Sequence, residues 1–221
     1  MSKYTLNPLP GQIPENVLAL LRRVETATVG HVLHTGFVDR EIRAILPDAR
    51  VAGTAVTVRI AGEDSTLLHY VLGLVRPGDF LVIDRGGDSR HACWGGLVTN
   101  TARLAGVVGA VIDGPATDIS EIRRCQMPVW SRGASSITTK LLDFGGEFNV
   151  PACVGGQIVC PGDAILADES GVIALKPGEA EAIARRAIEM QETELVSLER
   201  LRKGEKLADI SGAARLVLST G

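Results

Sequence analysis

Residues 78–133 read GDFLVIDRGGDSRHACWGGLVTNTARLAGVVGAVIDGPATDISEIRRCQMPVWSRG, and the fold is decided there. The stretch holds two apolar runs, FLVID at 80–84 and VVGAVID at 107–113. Both are short, rich in branched side chains, and end in an aspartate with glycine one or two residues on. A strand buried on both faces reads this way when it delivers a carboxylate and a flexible loop at its carboxyl end. Between the runs, residues 92–105 carry Leu97, Ala102, Leu104 and Ala105 at helical spacing, which predicts a crossover helix. The unit is β-loop-α-β. Ligands of such sheets sit beyond the carboxyl ends of the strands. Loops 84–96 and 113–118 both open there, and the active site is expected between them.

Working outward, 221 residues and 23.3 kDa are enough for one domain with a sizeable core. Net charge is −3 without a block of like charges, and aromatic residues make up only 4%, so neither a basic nucleic-acid footprint nor a base-stacking platform is indicated. The apolar runs stop well short of the roughly 18 residues a membrane span needs. The first residues lack a basic segment followed by an apolar one, so no signal peptide is expected and the expected location is cytoplasmic. Cys93, Cys125, Cys153 and Cys160 form no CxxC, which argues against structural zinc.

The chain is expected to form a single domain over 1–221, with an extended arm over about 1–14 and a C-terminal helix over about 177–203. Helices are expected at 14–24, 28–34, 66–75 and 121–125. The period-two run at 50–59 and the segment at 128–131 predict strands. Glycine-rich 145–159 predicts short antiparallel strands, and 161–175 predicts a hairpin turning at 168–171.

The ordered pieces Gly53-Thr-Ala-Val-Thr, Pro77-Gly-Asp-Phe-Leu-Val-Ile-Asp, Trp94-Gly-Gly-Leu, Gly109-Ala-Val-Ile-Asp-Gly, Asp118 with Ile122, Pro128-Val-Trp-Ser-Arg-Gly, Pro161-Gly-Asp and Ala167-Asp-Glu-Ser-Gly-Val resemble the RraA-like family. That family includes regulators of RNase E activity and class II pyruvate aldolases acting on 4-hydroxy-4-methyl-2-oxoglutarate. The resemblance implies an α/β fold, a swivelling β/β/α domain. It also implies a homotrimer or homohexamer with sites at subunit interfaces, and a divalent metal, Mg²⁺ or Mn²⁺. The implied function is a metal-dependent lyase on small 2-oxo acids, by retro-aldol cleavage of 4-hydroxy-2-oxo diacids or oxaloacetate decarboxylation, releasing pyruvate. The alternative it implies is a non-catalytic regulator binding a protein partner such as a ribonuclease, with no direct nucleic-acid or membrane contact.

By the same resemblance Asp118 holds the metal, and the backbone amides of Trp94, Gly95, Gly96 and Leu97 bind the pyruvate carboxylate. Glu194 matches a glutamate that reaches the neighbouring subunit's metal-bound water. Aldolase members carry an arginine before the metal-binding aspartate, where this chain has Thr117, and some carry an acid where it has Gly96. A threonine hydroxyl supplies neither the permanent charge nor the two-pronged donor of a guanidinium, so an altered substrate is expected. Arg90 or Arg85, in the loop feeding the site, is the candidate replacement charge. Asp118 has a plainer reading as the cap of a helix starting at 120 or 121. His69 reads as a satisfied core histidine and Cys93 as inert, while Arg132 matches a family arginine that reads as structural or interfacial as often as functional.

Overall fold

The computed structural model describes residues 2–219; Met1 of the expected arm and residues 220–221 of the expected domain lie outside them. In chain order the elements are β1 (Tyr4–Leu6), α1 (Glu15–Leu21), α2 (Thr26–Val29), β2 (Arg43–Ala44), β3 (Val51–Arg59), α3 (Thr66–Val71), β4 (Asp79–Asp84), α4 (Gly96–Leu104), β5 (Gly109–Ile112), α5 (Ile119–Arg124), β6 (Val129–Ser131), β7 (Gly146–Phe148), β8 (Ala152–Val154), β9 (Gln157–Val159), β10 (Ala164–Asp168), β11 (Gly171–Leu175), α6 (Pro177–Arg202), α7 (Leu207–Ile210) and α8 (Ala213–Leu218).

Strands β3, β4, β5 and β6 run parallel, in the order the two apolar runs predict. On its other edge β3 is shared: residues 51–54 pair with β10 and residues 58–59 with β7, both antiparallel. One long strand therefore belongs to both halves of the sheet. In β4, Phe80 and Val82 pack on one face while Leu81 and Ile83 pack on the other, the period of two that a doubly buried strand requires. One face is covered by α3, α4 and α5, the other by the β8–β9 hairpin and part of β10–β11. A third cluster packs α1, α2 and α6 on Leu166, Ile173 and Leu175.

The hairpin at β10–β11 turns at the expected residues, Asp168 opposite Gly171. Elsewhere the structure departs from the sequence reading for local reasons. Part of the expected extended arm is β1, parallel to β7, anchored by Lys3 and Tyr4 on Asp143. The second helix starts at Thr26, whose N–H and hydroxyl both donate to buried Asp168 at 2.7 and 2.5 Å. The crossover helix begins at Gly96 rather than 92, because Ala92 and Trp94 make bridges to Thr138 and Ala116. Helices α7 and α8 follow α6 where none was expected.

Candidate active site

Asp118 sits at the start of α5 in a left-handed conformation, φ 51°, which Asp tolerates better than most residues. Its side chain makes no capping bond to α5. Instead Oδ2 accepts the N–H of Gly96, the first residue of α4, at 2.8 Å. The helix-cap reading is thereby corrected: the carboxylate crosses from one helix start to another. The crossing requires glycine at 95. A Cβ there would meet Asp118 Oδ2 and Thr117 Cγ2, each at 2.8 Å. At Gly96 a Cβ would lie 3.1 Å from Glu121 Cγ. The position where some relatives carry an acid is thus crowded by Glu121, which accepts a hydrogen bond from Asn100 at 2.9 Å.

Asp118, Thr117, Gly95, Gly96, Leu97 and Val98 line one side of a pocket of about 200 Å³. Drug-sized ligands occupy roughly 300 Å³ or more, so this one suits a small molecule. Beyond Gly96, the N–H groups of Leu97 and Val98 belong to the first turn of α4, where no intrahelical acceptor exists, and such groups favour an anion. Trp94, expected among the binding amides, does not line the pocket: its ring is fully buried, with Nε1 donating to Thr99 Oγ1 at 2.9 Å, and its carbonyl accepts from Thr117 N–H at 2.8 Å.

The opposite wall consists of Thr138, Thr139, Lys140 and Leu141, with Ser65 and His69. Residues 137–144 form a strap without regular secondary structure. Ala92 N–H donates to Ile137 O, Ser65 N–H to Lys140 O and Lys140 N–H to Glu63 O, at 2.8–2.9 Å. Buried Asp64 accepts from the N–H groups of Leu142 and Phe144 at 3.0 and 2.8 Å and from Thr66. Burial alone would raise its pKa, but these bonds outweigh it and hold the carboxyl down to about 2. No periodicity marked this wall in the sequence; the only signal was a polar, basic run, TTK, following an irregular segment. His69, expected in the core, is exposed on the wall because α3 turns its apolar face (Leu67, Leu68, Val71) toward the sheet.

The arginines expected near the site lie elsewhere. Arg85 is fully buried, donating to Gly62 O, Asp88 Oδ2 and His91 O, so it cannot reach a ligand in the pocket. Arg90 is exposed and absent from the pocket wall; its N–H is bound by Asp88 and its carbonyl by Ser135. Arg132 clamps Asp113 at the end of β5 and faces Asp39 and Glu41, a structural role. Glu194 lies on α6 beside a separate cavity lined by Thr28, His31 and Met190; within one chain it is not brought together with Asp118. Cys93 lies under the pocket, its thiol pushed by burial up to about 11 and so protonated at neutral pH.

Among the described residues, no three His, Cys, Asp or Glu side chains converge as a metal cage. The donor chemistry nonetheless suits Mg²⁺ or Mn²⁺, since Asp118 Oδ1 takes no hydrogen bond among the described residues. Such ions are held by one or two carboxylates and keep much of their water.

The Aldolase/RraA family model, described as RraA-like, matches residues 26–174, a span that includes both pocket walls. The chain belongs to the RraA-like family. A 4-hydroxy-4-methyl-2-oxoglutarate aldolase of Thermus thermophilus is 38% identical over 128 residues, 58% of this chain and 76% of the relative. An uncharacterized protein of Methanocaldococcus jannaschii is 33% identical over 172 residues, covering 76% and 82%. Among solved structures, Streptomyces coelicolor RraAS2, described as an unusual member of the RNase ES inhibitor RraA family, superposes with a TM-score of 0.75. It is 25% identical, over 87% of this chain and 98% of its own. The swivelling α/β architecture of RraA-like proteins is thus this chain's fold, and relatives named as aldolases support a lyase at the level of the family. No helix among the described residues is long and apolar enough to cross a membrane.

Proposed function

We propose that this RraA-like chain is a carbon–carbon lyase on small 2-oxo acids, cleaving 4-hydroxy-2-oxo diacids in the retro-aldol direction or decarboxylating an oxaloacetate-like compound. The observation that carries the reading is the crossing of Asp118 to the amino end of α4, which sets a carboxylate and free helix amides on one pocket wall. The amides of Leu97 and Val98 would bind the substrate carboxylate, and the Thr117 hydroxyl would donate to the neighbouring keto oxygen. Asp118 Oδ1 would hold Mg²⁺ or Mn²⁺, which when bound supplies Lewis-acid stabilisation of enolate charge. In the retro-aldol direction the C4 hydroxyl loses its proton, the C3–C4 bond breaks, and C3 is reprotonated to give pyruvate. His69 is the wall side chain with a lone pair suited to carry that proton.

The test is pyruvate release with Mg²⁺ or Mn²⁺ from a panel of 4-hydroxy-2-oxo acids and oxaloacetate. We expect release that chelation abolishes, and a loss of at least 100-fold in folded Asp118→Ala. Release unchanged in Asp118→Ala would overturn the site. Thr117, in place of the arginine, favours a second reading: a non-catalytic regulator binding a protein partner such as a ribonuclease. Absence of turnover on the whole panel would select it.

A further inference from the structure

Among the described residues, Lys140 is the only one with a permanent positive charge lining the pocket, and Asp118 the only carboxylate. The lysine backbone is fixed at both ends, its N–H by Glu63 O and its carbonyl by Ser65 N–H. The side chain is exposed, and among the described residues it forms no ion pair. A cation held at a fixed Cα, free of any carboxylate, and facing a small pocket is poised for an anionic ligand. Across the pocket, the first turn of α4 offers a second, independent anion seat. Two seats lining one small pocket match a ligand with a carboxylate at each end.

We propose that Lys140 binds the distal carboxylate of a dicarboxylic 2-oxo acid, and so selects diacids over monoacids. The inference rests on the proposed function for the class of ligand, though not for turnover.

The experiment is calorimetric titration of the full-length protein, with Mg²⁺ present, using 2-oxoglutarate and 2-oxopentanoate, which share a five-carbon chain and differ in the distal carboxylate. The wild type should bind 2-oxoglutarate about tenfold more tightly, the size expected for one charge-assisted contact at an open site. Lys140→Met should erase that preference while leaving 2-oxopentanoate affinity within about threefold. Lys140→Arg, which keeps the charge, should restore it. Equal affinities in the wild type, an undiminished preference in Lys140→Met, or failure to bind either acid would overturn the assignment. Pyruvate release, measured in parallel, keeps the two proposals separate. A Lys140-dependent preference without turnover leaves this inference standing and removes the lyase.

Discussion

Thr117 stands at the half-buried junction between the Asp113 turn and Asp118, with its methyl group against Gly95 and its hydroxyl able to face the pocket. An arginine there would reach the keto oxygen with a permanent charge. Removing one preorganised donor costs about 100- to 1,000-fold in rate, so adding one on a flexible arm should recover at least about tenfold. We therefore expect Thr117→Arg to raise pyruvate release from a 4-hydroxy-2-oxo diacid by that factor, read as initial rates; a fall would refute the need for a charged donor at this position. Residues of this turn were legible in the sequence because they follow a strand that ends in Asp-Gly, a local pattern. Lys140 and His69 were not. Lys140 reaches the pocket only through an irregular strap, and His69 looked interior because its neighbours are apolar on both sides in sequence, though not around the helix.

The strap 137–144 has no helix or strand, only isolated bridges from Thr138 to Ala92 and from Lys140 to Asp64, and the Asp64 carboxylate is the hub that fastens it. Its folded pKa of about 2 lies below the ordinary 3.8, so the group contributes stability that is present above pH 3.8 and lost as pH falls toward 2. The size is about 2 kcal/mol. Unfolding of wild type and Asp64→Asn compared between pH 6 and pH 2 should show the full difference at the upper end and little at the lower. A difference independent of pH would refute this account. The elements legible in the sequence were those with period two or 3.6: β4, β5, α4 and the β10–β11 hairpin. What set their ends was tertiary. Residues 92–95 stay extended because the strap and Ala116 pair with them, and α2 starts where Asp168 holds Thr26.

For the whole molecule, α6 continues far beyond its buried residues Ala180, Ile183, Ala184 and Ala187; its outer half exposes Leu195 and Val196, and α7 and α8 beyond it expose Leu207 and Leu216. We expect light scattering at micromolar concentration to give three or six times 23.3 kDa, with Glu194 completing a neighbour's site. A monomer would remove Glu194 from the chemistry. This part of the reading drew on the resemblance and on a C-terminal helix with more apolar positions than one chain would cover, since no single-chain pattern specifies a symmetric interface. One feature of the fold also bears on the order of assembly. Tyr4 and Lys3 meet Asp143 across 139 and 140 residues of chain, and β1 has no partner until β7 exists. During synthesis residues 3–6 wait, unpaired, until residues 143–148 have been made. The strap that carries Lys140, already held by Asp64, thus takes one further tie at Asp143 when residues 3 and 4 return to it.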